Sequence, residues 1–216
     1  MDSSSTSNTT FFTETKPASI RIWHWFTLLF FAASITTVLL NSTVFKTRNN
    51  IGMVIEQVKK DGGIITEKQA RNVAHEYSDK LWEIHTFIGY GLAFLMLWRI
   101  VVEVTISKDK KLKTRIQKAM KLSGSLPERN HYLIVQISYA VFYLLFLSMV
   151  ITGLILAFED VSWCKAIHRN VKEIHGFIQY LLYAFMSLHI IGVIYADINK
   201  YNGIVSRMIN GKEQNS

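Results

Sequence analysis

Cysteine is almost absent from this sequence: Cys164 stands alone among 216 residues. A lone thiol excludes an internal disulfide, and with it every attachment or metal motif that needs two cysteines at short spacing. Proline is nearly as scarce, with Pro17 and Pro127 its two occurrences, both suited to the first turn of a helix. Acidic residues are outnumbered, 16 against 24 lysines and arginines, yet no nucleic-acid-binding motif accompanies the excess. Charged residues of both signs make up only 19% of the chain, whereas 50% is hydrophobic and 12% aromatic, so water is not expected to be the main solvent.

Long apolar runs fill the place of what is missing. Residues 20–44, 81–104, 132–158 and 174–198 each have the length and polarity of a bilayer-spanning helix, for which roughly 20 apolar residues suffice. Only helices and closed barrels satisfy their backbone groups in lipid, and these runs are far longer than barrel strands. The expected fold is all-α and membrane-integral, a four-helix transmembrane bundle forming one domain over residues 18–199. A Ser/Thr-rich tail at 1–17, expected to be disordered, and a second tail at 200–216 flank it. The first run is too long for the apolar core of a signal peptide, carries His24 and several threonines, and is followed by no small-residue cleavage site. It is expected to be retained as a span.

Lysine and arginine set the orientation. Residues 108–130, between the second and third runs, hold eight of them against Asp109 and Glu128, which assigns that connection and both termini to the cytoplasm. The first connection, 45–80, holds seven basic and five acidic residues. Within it, 51–60 and 67–80 read as short amphipathic helices that either rest on the membrane or form a small cap. A basic loop on an anionic leaflet accounts for most of the net charge of +8.

The chemistry enters with a repeat. LWEIHTFIGY at 81–90 recurs as VKEIHGFIQY at 171–180, so His85 and His175 sit at one depth near the outer ends of two spans. His24 lies just inside the inner end of the first span, and His189 in the inner half of the fourth. His175 and His189 are 14 residues apart, which on a helix is roughly 21 Å along the axis and about 40° around it. One helix face thus presents two imidazoles at two levels. A single intramembrane histidine is as readily a hydrogen-bonded packing residue. Four that match by depth, His24 with His189 and His85 with His175, describe two bis-imidazole clamps, each able to grip a haem iron from both sides. With no C-x-x-C-H motif, two such haems are held by coordination and packing alone and are b-type.

The remaining histidines read as surface residues: His75 in the first outer connection, His131 at the start of the third span, and His168 in a loop after Cys164. Lys165, His168, Arg169 and Lys172 form a basic approach to the outer level that would draw in an anion. Arg99 lies 14 residues beyond His85, at the level of His189. It is assigned to a propionate of the inner haem, the alternative being that it snorkels to the inner headgroups. Gly89, one turn beyond His85, is read as leaving room for a flat ring, and Gly91, Gly153 and Gly176 either do the same or mediate helix packing. Each ligand's second ring nitrogen needs an acceptor to orient it. Glu83 and Glu173 are near in sequence, and either serve that purpose or point elsewhere on the helix.

Taken together, Arg21-Ile22-x-His24-Trp25, His85-x-x-x-Gly89, Arg99 and the pair His175 and His189 resemble bacterial cytochrome b561 and the related b-type subunits of nickel-iron hydrogenases, formate dehydrogenases and thiosulfate reductases. The resemblance covers residues 18–199. It implies an inner-membrane cytochrome with two haems b that passes electrons between a quinone pool and a redox partner. Some members of the b561 branch are linked to oxidising superoxide and reducing ubiquinone, while others anchor a hydrogenase or another dehydrogenase. The long first outer loop departs from the shortest members and would suit a docked partner. A quinone pocket is not placed by the residues, because Gln136, Ser138, Tyr139 and Thr152 serve equally as packing polar groups in the third span.

Overall fold

The computed structural model describes residues 17–106, 111–121, 126–158, 160–199 and 203–211; of the tail expected at 1–17, residues 1–16 lie outside them. All regular structure among the described residues is helical: α1 (Ala18–Ser42), α2 (Thr47–Lys60), α3 (Glu67–Thr105), α4 (Leu112–Lys121), α5 (Leu126–Ala157), α6 (Ser162–Asn199) and α7 (Ile204–Asn210). Four segments are long and apolar enough to cross a membrane, namely Ala18–Ser42, Glu67–Thr105, Tyr132–Ala157 and Ser162–Asn199. Their surfaces invert the pattern of a soluble protein. Leu29, Phe94, Leu144 and Leu188 are each more than 60% exposed, while Thr27, Thr37, Asn41 and Gln136 are buried. Apolar surface on this scale is stable against lipid and not against water.

Two helices are longer than their apolar runs. No proline or glycine interrupts residues 67–88, so the amphipathic stretch at 67–80 continues without a break into the second span instead of forming a separate helix. A reciprocal cap starts it: the Thr66 backbone N–H donates to Gln69 Oε1 at 2.9 Å, and the Gln69 N–H to Thr66 Oγ1 at 3.3 Å. In the same way α6 begins at Ser162. His168 therefore stands on a helix with Lys165, Arg169 and Lys172, and not in a loop. The basic connection also contains a helix of its own, α4.

Two compact units divide the chain, Phe26–Phe94 and Met1–Trp25 with Leu95–Ser216. In the first, α1 and α3 run antiparallel. Ser78 Oγ donates to Asn41 Oδ1 at 2.8 Å and Asn41 Nδ2 to the Ser78 carbonyl at 3.3 Å, His85 meets Thr37, and Gly91 meets the ring of Phe30. At Gly91 an added Cβ would enter that ring. Gly91→Ala should therefore cost about 1–2 kcal/mol, an overpacking penalty of roughly 1–3 less part of the ~1 that alanine gains in a helix. Thermal unfolding in detergent measures it, with recovery expected when Phe30→Ala is added and no loss at all counting against the contact.

In the second unit α5 and α6 form another antiparallel pair. The rings of Phe142 and Phe185 stack at 5.4 Å, and Phe146 and Leu182 are fully buried. Helix α4 is held to this unit at two points: Glu103 Oε1 accepts the Leu112 N–H at 2.6 Å, and the Arg115 guanidinium lies 5.7 Å over the Tyr139 ring. A carboxylate at its N-terminus suits the helix dipole. The stretch read as a tail contains α7, whose last carbonyls are capped from the first helix. Arg21 Nη1 donates to the Ile209 carbonyl and Trp25 Nε1 to that of Met208, both at 3.1 Å.

Candidate functional site

The start of α1 carries the first half of the site. Trp23 is buried, and its Nε1 donates to the Leu95 carbonyl at 2.8 Å, which fixes the rotation of the helix and so the direction of His24 one residue on. The His24 ring meets Trp25 edge-on at 5.4 Å and has its centre 6.3 Å from that of His189, the two planes inclined by 56°. His189 in turn lies parallel to Phe185, at 6.4 Å and 6°. Phe142 stacks on Phe185 in turn, so His189 is set among aromatic rings and His24 against an indole.

The separation of the two imidazoles tests whether they fit one metal. An imidazole nitrogen sits about 2.0–2.1 Å from a first-row metal such as zinc, which puts the ring centre about 3.2 Å from it and two rings on opposite sides about 6.4 Å apart. The observed 6.3 Å matches. His24 Nδ1 is also buried without a hydrogen-bond partner among the described residues. A buried polar atom of this kind is costly unless something outside the chain or a ring reorientation satisfies it.

Arg99 belongs to the same unit, where its guanidinium has partners inside the chain. Its side chain is only 11% exposed, which argues against snorkelling, and Nη2 pairs with Glu103 Oε2 at 3.0 Å. Nε donates to the Tyr143 hydroxyl at 2.9 Å, with the guanidinium 4.9 Å from that ring's centre. Nη1 is buried without a partner among the described residues. The arginine thus keeps one free donor direction while its charge is balanced inside the chain.

The two repeat histidines are oriented by the same device, each within its own unit. His85 Nδ1 lies 2.9 Å from Thr37 Oγ1, and that hydroxyl donates its own hydrogen to the Ser34 carbonyl at 2.7 Å. His175 Nδ1 lies 2.9 Å from Thr152 Oγ1, which donates to the Ser148 carbonyl at 2.8 Å. A hydroxyl whose hydrogen is committed has only lone pairs to offer, so towards each threonine the ring Nδ1–H donates and Nε2 is left as the basic nitrogen, with Ser34 Oγ a longer second contact to His85 Nδ1 at 3.5 Å. The glutamates of the repeat point elsewhere: Glu83 binds Lys80 at 2.8 Å and Glu173 faces Arg169 at 3.6 Å, both on exposed surface.

The glycines separate by role. An added Cβ at Gly89 or Gly176 meets nothing within 4 Å, whereas one at Gly153 would stand 3.3 Å from His175 Cε1. Gly153 therefore gives the imidazole its space, Gly91 packs on Phe30, and the face at Gly89 is open. His75 is exposed and paired with Asp79 at 2.6 Å; the side chain of His131 lies outside the described residues. Of the expected ligand pairs, His24 and His189 are brought together, while His85 and His175 divide between the units. Thr37, Glu103 and Tyr143 were not singled out from the sequence, although Glu103 follows Arg99 at the i,i+4 spacing of helix ion pairs.

Comparison with protein families matches residues 16–211 to the family described as prokaryotic cytochrome b561. That interval takes in every described helix and all the site residues named above. Comparison with curated proteins and with solved structures finds no match.

Proposed function

The chain belongs to the prokaryotic cytochrome b561 family and is a multi-pass b-type membrane cytochrome of electron transfer; from that premise we propose that it carries two haems b and moves electrons between a quinone pool and a redox partner across the bacterial inner membrane. Both termini face the cytoplasm in this reading, as the basic segment between α3 and α5 favours. His24 and His189 are the ligands of the inner haem, and the single observation that carries the proposal is their 6.3 Å separation. His85 and His175 are the ligands of the outer one, a pairing that rests on their matched depth in the sequence.

Bound haem supplies one-electron chemistry at an iron that two imidazoles leave with no open position. Everything else is the work of this chain. Trp23 and Phe185 set the two inner rings, and Arg99 Nη1 is the proposed donor to a propionate of the inner haem. Gly89 leaves the helix face beyond His85 flat enough for a ring to approach. Lys165, Arg169 and Lys172, on the first turns of α6, offer positive charge at the outer end, which favours an anionic reactant there.

Haem quantified per chain, with a reduced-minus-oxidised spectrum of the purified protein, tests the reading. Two haems per chain with b-type bands are expected, and a stoichiometry of one or none overturns the two-haem assignment. Quinone reduction by the isolated chain distinguishes a self-sufficient oxidoreductase, such as a superoxide-oxidising quinone reductase, from an anchor that purifies with a hydrogenase or dehydrogenase.

A further inference from the structure

The two halves of the chain repeat more than the Glu-Ile-His motif. In each, a helical hairpin brings a threonine from its first helix to the Nδ1 of the histidine on its second, at 2.9 Å in both cases. Both threonines have their hydroxyl hydrogen tied to a carbonyl one turn earlier, that of Ser34 or Ser148. Thr37 is buried and Thr152 partly so.

We propose that Thr37 and Thr152 are matched positioning residues: each accepts the Nδ1–H of a ligand histidine, His85 or His175, presents that ring's Nε2 to iron, and makes the ring a stronger electron donor. The proposal rests on the reading that these two histidines bind haem. Donating its Nδ1–H gives an imidazole partial imidazolate character and raises its basicity at Nε2. A more basic ligand stabilises the oxidised iron over the reduced one, so the two hydroxyls together hold the potential of the outer site low.

Spectroscopic redox titration of the purified holoprotein tests this with Thr37→Val, Thr152→Val, the double variant and the two Thr→Ser variants. Valine keeps the shape and removes the acceptor. Each valine variant should retain both haems and shift one of the two midpoint potentials to a more positive value, by on the order of tenfold in the equilibrium constant, which is ~59 mV for one electron. The shift should grow in the double variant and largely vanish in the serine variants. Retained haem with unmoved potentials overturns the proposal, as does haem loss that serine fails to restore; haem loss that serine does restore supports it. His85→Ala is the separate control on the underlying reading: if that variant keeps both haems, the assignment of His85 as a ligand fails, whatever the threonines do.

Discussion

His24→Ala is expected to lower the haem content from two per chain to one, with the surviving centre titrating as the outer haem does in the unsubstituted protein. The effect is local. His24 and His189 stand at the separation of two rings on opposite sides of one metal, so removing either leaves a single imidazole and an open position in an apolar setting. His189→Ala should give the same loss, which a purely structural role would not require, since the two rings have different neighbours: Trp25 for one and Phe185 for the other. His75→Ala, at an exposed side chain paired with Asp79, should leave both haems in place. Pyridine haemochrome quantification with size-exclusion chromatography reads the result. Retention of two haems by the His24 variant, or loss of both from a monodisperse and folded protein, would mean that the inner pair is wrongly assigned.

The apolar runs and the histidine spacing made the membrane helices and the candidate ligands legible in the sequence, because both are one-dimensional signals. A span needs a length of apolar residues, and two ligands on one helix need a spacing near a whole number of turns. What did not show were the helix extents and the partners across helices. Residues 67–80 and 162–173 are polar enough to read as loop or separate helix, yet nothing in them breaks a helix, and each runs on into the span that follows. Arg99 illustrates the other limit. Its level and cost in lipid were visible, but its partner Tyr143 is 44 residues away, and only the packing of α3 against α5 puts the two together. Thr37 and Thr152 are ordinary polar residues of apolar helices until a histidine on the neighbouring helix is placed against each.

Arg99→Leu is expected to have the largest effect on stability of any single change away from the ligands. Glu103 would keep the Leu112 N–H at 2.6 Å but lose its only described charge partner, and a carboxylate left unpaired in a part-buried setting costs about 3–5 kcal/mol. For a chain of this size each kcal/mol lowers Tm by about 2–4 °C, so a fall of roughly 6–20 °C in detergent is the result to look for. Arg99→Lys should fall between, since an ammonium keeps the charge but cannot serve Tyr143 and Glu103 at once as the planar guanidinium does. Adding Glu103→Leu to Arg99→Leu removes the stranded charge, and the double variant should regain part of the loss. Additive destabilisation would show that the pair is not coupled. The same variants separate the two duties of the arginine. If Nη1 also holds a propionate of the inner haem, that haem should remain easier to dissociate in the double variant even after stability recovers, whereas Glu103→Gln, which leaves the guanidinium in place, should hold it as firmly as the unsubstituted protein does.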